Sequence, residues 1–482
     1  MKLAYLVDPW ITDNCYYDIE ILGLENDSRR VKQGYLFLAY PGSTVDGRLF
    51  IDQASNAGAA AILYEPAFMP ASMKFPTNIP CLPLPDLGNH LAAIASRFHN
   101  NPSTKLHIIG VTGTNGKTTV ALQLAQAYDL LGQSAAYIGT IGQGSVNHLK
   151  PLANTTPDGL LSQQLLARFL QEGKKQICME VSSHALVQHR VDHIQFTQAI
   201  YTNLSHDHLD YHQTMEKYAA AKALLFKKPE LRSVIVNHDD AYTDQMVRQV
   251  NNRCTVIRYG FAADSDVRVL DWHSTMLGSR CEIHSPWGQH QLRINSLGKF
   301  NLYNSLAIYT SLMANGFDAN KVIDVMATLQ AAPGRMEVIS NEPCVIVDYA
   351  HTPDALENVL MTLRALTTGR LYVVFGCGGD RDKTKRAMMG RVAAQYSDVV
   401  IITSDNPRSE DPRKIIDDVC SGITNQLPLK IIDRRQAIME ALNLAQIGDI
   451  ILVAGKGHEA YQQVGDHRFH FSDQEVIRHL LF

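Results

Sequence analysis

"HIIGVTGTNGKTTVALQLAQAYDLLG", residues 107–132, runs from a short apolar stretch through a Gly-rich turn into a segment of helical periodicity. Val120, Leu124, Tyr128 and Leu131 recur at helical spacing, and Gly132 suits the left-handed stop of a helix. A strand entering a helix through glycines is the ground plan of a phosphate-binding loop. Gly113 and Gly116 permit backbone conformations that a Cβ forbids, so successive N–H groups can converge on phosphate oxygens at the helix N-terminus. The expected loop comprises Gly113, Thr114, Asn115, Gly116, Lys117, Thr118 and Thr119, with Lys117 reaching the terminal phosphates and the Thr118 hydroxyl meeting Mg²⁺. One count is off. The general pattern leaves four residues between its glycines, whereas Gly110 to Gly116 leaves five and puts Val111 at the matching position.

Outward from this stretch the chain reads as α/β throughout, in three domains. Residues 1–100 alternate short strands and helices, as in "GYLFLAYPG", "FIDQASNAGAAAILYEP" and "DLGNHLAAIASRFH", and end at the polar linker "NNPSTKL". Residues 101–333 form a central P-loop domain with a parallel sheet. Its strands "LHIIGV", "KQICMEV", "QFTQAIYTNL" and "LRSVIVN" each run into polar residues, at the edge where parallel sheets bind ligands. After a hinge at "LQAAPGR", residues 334–482 form a C-terminal Rossmann-like domain. Its five apolar runs "PCVIVDYAHTP", "LYVVFGCGGDRD", "DVVIITSDNPRSEDP", "LKIIDRR" and "DIILVAGKGHE" read as buried parallel strands.

Composition excludes several classes. The 482 residues carry 44 Lys+Arg against 48 Asp+Glu, with no block of one sign, so neither nucleic acid nor a membrane surface is an expected partner. The 8 cysteines, Cys15, Cys81, Cys178, Cys254, Cys281, Cys344, Cys377 and Cys420, form no C-x-x-C pair, which argues against zinc ribbons and disulfides. "MKLAYLVDPWITDN" meets Asp8 and Pro9 before any secretory apolar core has formed, and no run is long enough to span a bilayer. A cytoplasmic protein is expected.

Three further stretches carry chemistry. In "CMEVSSHAL", Glu180 ends an apolar strand and is placed to serve Mg²⁺. In "TNLSHDHLDYH", His206, His208, Asp210 and His212 nearly spell the zinc cluster of metallohydrolases, but Tyr211 separates the last two. In "YAAAKALLF", Lys222 sits among apolar residues, where a lysine either snorkels or becomes a neutral nucleophile able to take up CO₂ as a carbamate.

Taken together, "TGTNGKTT", "NTTPDG", "MEVSSHAL", "NLSHDHLDYH", "AAAKALLF", "LGKFNLYN", "PGRME", "VDYAHTPDAL", "GCGGDRDKTKR", "DNPR" and "GKGHE" resemble the Mur ligase family in content and order, over essentially the whole chain. The resemblance accounts for the odd glycine count, since the family uses the shorter T-G-T-N-G-K-T-T loop. It implies a monomeric cytoplasmic ligase of peptidoglycan synthesis, and hence of cell-wall biogenesis, cell shape and division. The implied reaction joins meso-2,6-diaminopimelate to UDP-N-acetylmuramoyl-L-alanyl-D-glutamate, using ATP and Mg²⁺ and passing through an acyl phosphate.

Roles follow from the same resemblance. Lys117, His208 and Lys222 would be catalytic, with Thr118 and Glu180 serving one Mg²⁺ and His208 and an N6-carboxylated Lys222 the second. Asn301, Arg335, Asp348 and His351 would contact ATP. Residues 1–100 would bind UDP through Ser28, with Asp46 and Gly47 as further candidates, and the muramoyl-dipeptide would meet Asn154, Thr155, Thr156, Ser182, Gln188 and Arg190. Arg381, Asp405, Asn406, Pro407, Arg408, Gly455 and Glu459 would form the diaminopimelate pocket. There Arg408 offers a bidentate fork to the extra carboxylate, and Glu459 faces the ammonium end. His206 receives no role. Three rivals stand beside this reading: folylpolyglutamate synthesis, a P-loop ATPase switch, and a zinc hydrolase.

Overall fold

The computed structural model of the chain describes residues 1–11, 18–42, 45–69 and 73–481, so Cys15 lies outside the described residues. It divides into two compact units, one of residues 1–110, 133–199 and 221–232, the other of residues 111–132, 200–220 and 233–482.

The first unit opens with a four-stranded parallel sheet in the order β1 (Gly23–Glu25), β2 (Tyr35–Ala39), β3 (Ala61–Tyr64), β4 (Cys81–Pro83). "YLFLA" is apolar without alternation because both its faces are covered. Leu36 and Leu38 pack with Leu87, Leu91 and Ile94 of the helix Leu87–Phe98, while Phe37 and Ala39 pack with Ile51 and Ala54 of the helix Ile51–Asn56. The strands β5 (His107–Thr112), β6 (Ala135–Gly139), β7 (Gly142–Gly144) and β8 (Gln176–Glu180) follow, in the order β5-β8-β6-β7. β9 (Gln198–Tyr201) begins beside β5, where Thr197 N–H donates to Ile108 O at 2.9 Å.

In the second unit β9 leads to β10 (Ser233–Asn237) and β11 (Thr255–Gly260), which pair in parallel. An antiparallel meander then follows, β12 (Val267–Thr275), β13 (Gly278–Ser285) and β14 (Gly288–Ile294), which the sequence reading did not anticipate. Its signature is alternation: along β13, Ser279, Cys281, Ile283 and Ser285 are buried and the residues between them are not. One wet face needs no continuous apolar run. The helix Lys117–Leu130 stops at a Leu131 cap, and Gly132 has φ +77°, as expected. It is buried on more than one face, and even Gln123 is enclosed, donating to Gln330 O at 3.0 Å.

The C-terminal sheet contains β15 (Glu337–Asn341), β16 (Cys344–Asp348), β17 (Leu371–Phe375), β18 (Val399–Ile402), β19 (Leu429–Lys430) and β20 (Ile450–Ala454), in the order β15-β16-β20-β17-β18-β19. It is parallel except for β15. On one side Val373 and Phe375 pack with Leu356, Leu360 and Met389; on the other Tyr372 and Val374 pack with Ala437, Ile438 and Ile477. Four of the five expected strands are buried in this way. "LKIIDRR" corrects the reading: it gives only the two-residue β19, exposed, because an edge strand has one neighbour to pair with. Among the described residues no helix is long and apolar enough to cross a membrane.

Behind this sheet Arg386 is buried and bridges Glu410 and Asp418, each at 2.9 Å. The Arg386 hydrogen bonds hold the Glu410 carboxyl down to about 2, against an ordinary value of 4.5. A depressed carboxyl stabilises the fold above its unfolded value, and the contribution fades as pH falls toward the folded one. Glu410→Gln is therefore expected to flatten the acid limb of the pH–stability curve between about pH 5 and 2, read by circular-dichroism melts. An unchanged acid limb would refute this.

Candidate active site

β5 delivers its chain into the loop at Gly113 (φ +154°), and Gly116 (φ +86°) caps the helix Lys117–Leu130. Both glycines are required twice over, since a Cβ on Gly113 would strike the Thr202 hydroxyl and one on Gly116 the Asn304 amide. Lys117 Nζ curls back over the loop and donates to Gly113 O and Thr114 O, both at 2.8 Å. The segment after β9 grips the loop from beside it. Thr202 Oγ1 donates to Asn115 O at 2.6 Å, Asn203 Oδ1 accepts Asn115 N–H at 2.9 Å, and the Thr114 hydroxyl lies 3.2 Å from Tyr218 Oη. Sequence reasoning missed Thr202, Asn203, Tyr218 and Asn304; only their contacts identify them. Thr202→Val should raise the KM for ATP about 5- to 10-fold, the worth of one buried hydrogen bond, with the melting temperature held. Unchanged ATP kinetics would show the clamp to be idle.

Of the residues expected at ATP, Arg335 meets this loop. Arg335 Nη2 lies 3.4 Å from Thr118 Oγ1, and its guanidinium stacks on Tyr349 at 4.2 Å. Asn115 Nδ2 donates to Asp354 Oδ2 at 3.1 Å. Asp348 is buried and accepts Met336 N–H and Ala350 N–H, both at 2.7 Å; burial pushes its carboxyl up, opposed by Arg335. His351 is pushed down by burial and by Lys385, which donates to its carbonyl at 2.9 Å. Asn301 is buried under the loop side of its helix, donating to Leu297 O at 2.9 Å and accepting from Asn304 at 3.1 Å. His208 has φ +54° and lies 3.4 Å from Asp207. Burial opposes the Asp207 charge, but His208, His351 and Lys117 outweigh it and hold the carboxyl low. His212 instead stacks on Tyr218 at 5.0 Å, and among the described residues no three His, Cys, Asp or Glu side chains gather as a metal cluster.

Within the first unit Glu180 is 0% exposed at the end of β8. It accepts from Tyr137 Oη, from Thr140 N–H at 2.9 Å and from the Thr140 hydroxyl at 3.1 Å. Around it stand most of the residues expected at the muramoyl-dipeptide. Thr156 donates to Glu180 O at 2.9 Å and accepts Ser182 N–H at 3.0 Å, Thr155 meets Thr140 at 3.0 Å, and Arg190 reaches Thr156 O at 3.1 Å and Gln188 at 2.5 Å. Asn154 is exposed. Ser28 is buried and donates to Gln53 at 3.0 Å, whereas Asp46 is occupied by Arg48 at 2.8 Å. Lys222 is 1% exposed, which removes the snorkelling alternative. Hydroxyl and carboxylate oxygens such as Thr118 and Glu180 suit Mg²⁺, whereas zinc sites favour imidazole and thiolate.

The residues expected at the amino acid converge at the ends of β18 and β20. Asn406 Nδ2 donates to Glu459 Oε2 at 2.9 Å, and Lys456 Nζ stands 3.3 Å from Asp405 Oδ1 and 3.2 Å from Asn406 Oδ1. Burial and Asp405 push the Glu459 carboxyl up, opposed by Lys456. Gly455 (φ +107°) passes close to Asp405, and Pro407 is buried beneath. Arg408 adopts φ +51°, held by Gln463 O on its N–H at 3.1 Å and by Gly465 N–H on its carbonyl at 2.7 Å. Its Nη1 donates to Gly379 O at 2.7 Å. Arg381 is exposed.

Comparison with known proteins finds relatives over nearly the whole chain. Residues 20–99 match the Mur ligase family catalytic domain, 111–312 the Mur ligase middle domain, and 334–457 the Mur ligase glutamate ligase domain. The UDP-N-acetylmuramoyl-L-alanyl-D-glutamate–2,6-diaminopimelate ligase of Coxiella burnetii is 42% identical over 472 residues, covering 96% of each chain. The ligase of the same name from Chromobacterium violaceum is 44% identical, covering 96% of this chain and 94% of its own. A solved structure of a ligase of that name superposes with a TM-score of 0.72 at 35% identity, covering 100% of this chain and 99% of its own.

Proposed function

The chain belongs to the Mur ligase family, and from that premise we propose that it joins meso-2,6-diaminopimelate to UDP-N-acetylmuramoyl-L-alanyl-D-glutamate in cytoplasmic peptidoglycan synthesis, hydrolysing ATP. The observation that carries this reading is the cluster at the ends of β18 and β20. There the Arg408 guanidinium stands with the carboxylates Asp405 and Glu459 on one set of strand ends. That charge pattern suits an amino acid bearing an extra carboxylate.

In the first half-reaction a D-glutamyl carboxylate oxygen attacks the γ-phosphorus, ADP departs and an acyl phosphate forms. The acceptor ammonium gives one proton to solvent, the free amine adds to the acyl carbon, and the tetrahedral adduct collapses as its second N–H proton leaves with the departing phosphate. The difficulty is bringing two anions together, so positioning and charge neutralisation carry the catalysis. Lys117 supplies positive charge at the loop, and Arg335 adds more beside Thr118. Thr118 and Glu180 would hold one Mg²⁺, with His208 and carboxylated Lys222 holding a second; bound Mg²⁺ neutralises phosphate charge. Asn301, Arg335, Asp348 and His351 would contact the base, phosphates and ribose. Residues 1–100 would take UDP at Ser28, residues 101–333 ATP, and residues 334–482 the amino acid. Asn154, Thr155, Thr156, Ser182, Gln188 and Arg190 would line the muramoyl-dipeptide, and the chain would act as a monomer.

Phosphate release from ATP with the UDP-linked substrate tests this, comparing meso-diaminopimelate, L-lysine and no amino acid. Release with diaminopimelate alone, together with a tripeptide product by mass, is expected. Release with lysine alone overturns the acceptor assignment. Release independent of the UDP-linked substrate overturns the reaction and favours the folate or switch reading.

A further inference from the structure

Lys456, in the motif "GKGHE", is 0% exposed, and its ammonium is spent inside the acceptor cluster. Besides Asp405 and Asn406 it meets Glu459 Oε2 at 3.4 Å, and the Tyr461 ring centre lies 5.6 Å away. The contacts on Glu459 are one-sided. Asn406 and Lys456 both fall on Oε2, while Oε1 accepts no hydrogen bond among the described residues. Among the described residues Lys456 is the cation that touches both carboxylates, Asp405 and Glu459, whereas Arg408 is held by Gly379 O at 2.7 Å and Arg434 by Asp473 at 2.7 Å and Ala454 O at 2.9 Å.

Resting on the acceptor assignment above, we propose that Lys456 is a positioning residue that pins Oε2 of Glu459 and keeps that carboxylate charged, so that Oε1 receives an ammonium group of the incoming amino acid. A buried carboxylate beside a second one binds a proton readily unless a cation is fixed next to it. The titratable and charged groups around Glu459 are Asp405 on the loop after β18, Tyr349 after β16, Arg434 with Asp473 behind, Tyr461 and Arg468 on the hairpin of strands Tyr461–Val464 and His467–His470 with Arg408 beside it, and Lys456 on its own turn. Of these, Lys456 alone is a cation in direct contact with Glu459 among the described residues.

The test is steady-state kinetics of Lys456→Met, Lys456→Gln and Lys456→Arg. For Met and Gln the KM for diaminopimelate should rise about 10- to 30-fold near neutral pH, while kcat and the KM values for ATP and the UDP-linked substrate stay within about 3-fold. The defect should shrink as pH rises, because Glu459 without its cation holds a proton more readily. Arg keeps the charge and should keep a wild-type-like pH profile. If Lys456→Met does not fold, Lys456→Gln, which retains a hydrogen-bonding end, decides. An unchanged diaminopimelate KM in a folded Gln variant, or a loss spread equally over all three substrates and independent of pH, overturns the proposal. Failure of the acceptor assignment looks different: wild-type enzyme would then ignore diaminopimelate altogether.

Discussion

Lys117→Ala is expected to lower kcat about 10³-fold, close to 4 kcal/mol of transition-state stabilisation, with the fold intact. The size follows from what the ammonium has to do. Nucleophile and electrophile are both anionic, and a cation at a helix N-terminus acts where charge shifts during phosphoryl transfer. The structure places Nζ on the carbonyls of Gly113 and Thr114, at 2.8 Å from each, so the side chain is already curled over the loop. Removing it leaves those carbonyls to water and leaves Gly113, Gly116 and the Thr202 clamp unchanged. Single-turnover acyl-phosphate formation with purified enzyme is the measurement. Retention of more than about a tenth of the rate would move the charge-neutralising role to Arg335.

Arg408→Ala is expected to raise the KM for diaminopimelate about 100-fold, near 3 kcal/mol, the loss of a charge-assisted bidentate pair. The KM for ATP should stay within about 2-fold, because Arg408 belongs to the loop after β18 and makes none of the phosphate-loop contacts. The backbone complicates the choice of variant. Arg408 holds φ +51°, a conformation that costs any residue but Gly, Asn or Asp. Its N–H and carbonyl are tied to Gln463 and Gly465, so the hairpin that follows β20 shares in placing the guanidinium. Arg408→Asn therefore separates the two contributions, since Asn tolerates that backbone while lacking the fork. Both variants should lose diaminopimelate equally if the guanidinium is what reads it. A much milder loss in Arg408→Asn would mean that the backbone turn matters more than the charge.

The parts of the site that were legible are those where one residue type has no substitute. Glycines at φ +154° and +86° and a lysine after them cannot be exchanged, so the loop announces itself locally. Glu180 was legible as a strand-end carboxylate but weak alone, and its partners Tyr137 and Thr140 come from other segments. Thr202, Asn203 and Tyr218 were not legible, since a threonine, an asparagine and a tyrosine at those positions look like any others until the loop lies against them. The antiparallel meander of β12 to β14 was missed for a related reason. Strands covered on both faces carry continuous apolar runs, whereas strands with one wet face alternate and carry none.

By itself the sequence determined the elements that depend on near neighbours: the βα order, the phosphate loop, the helix stop at Gly132 and the buried strands of "YLFLA" and "LYVVF". Local sterics and hydrophobic periodicity act within a few residues, and both are written in the chain. Tertiary structure alone decided which atoms those elements present. It curls Lys117 onto its own loop, sets Arg335 against Thr118 across more than two hundred residues, and leaves one oxygen of Glu459 open while Asn406 and Lys456 hold the other. Electrostatic fields and hydrogen bonds depend on distance in space, and that distance exists only once the strands have brought their ends together.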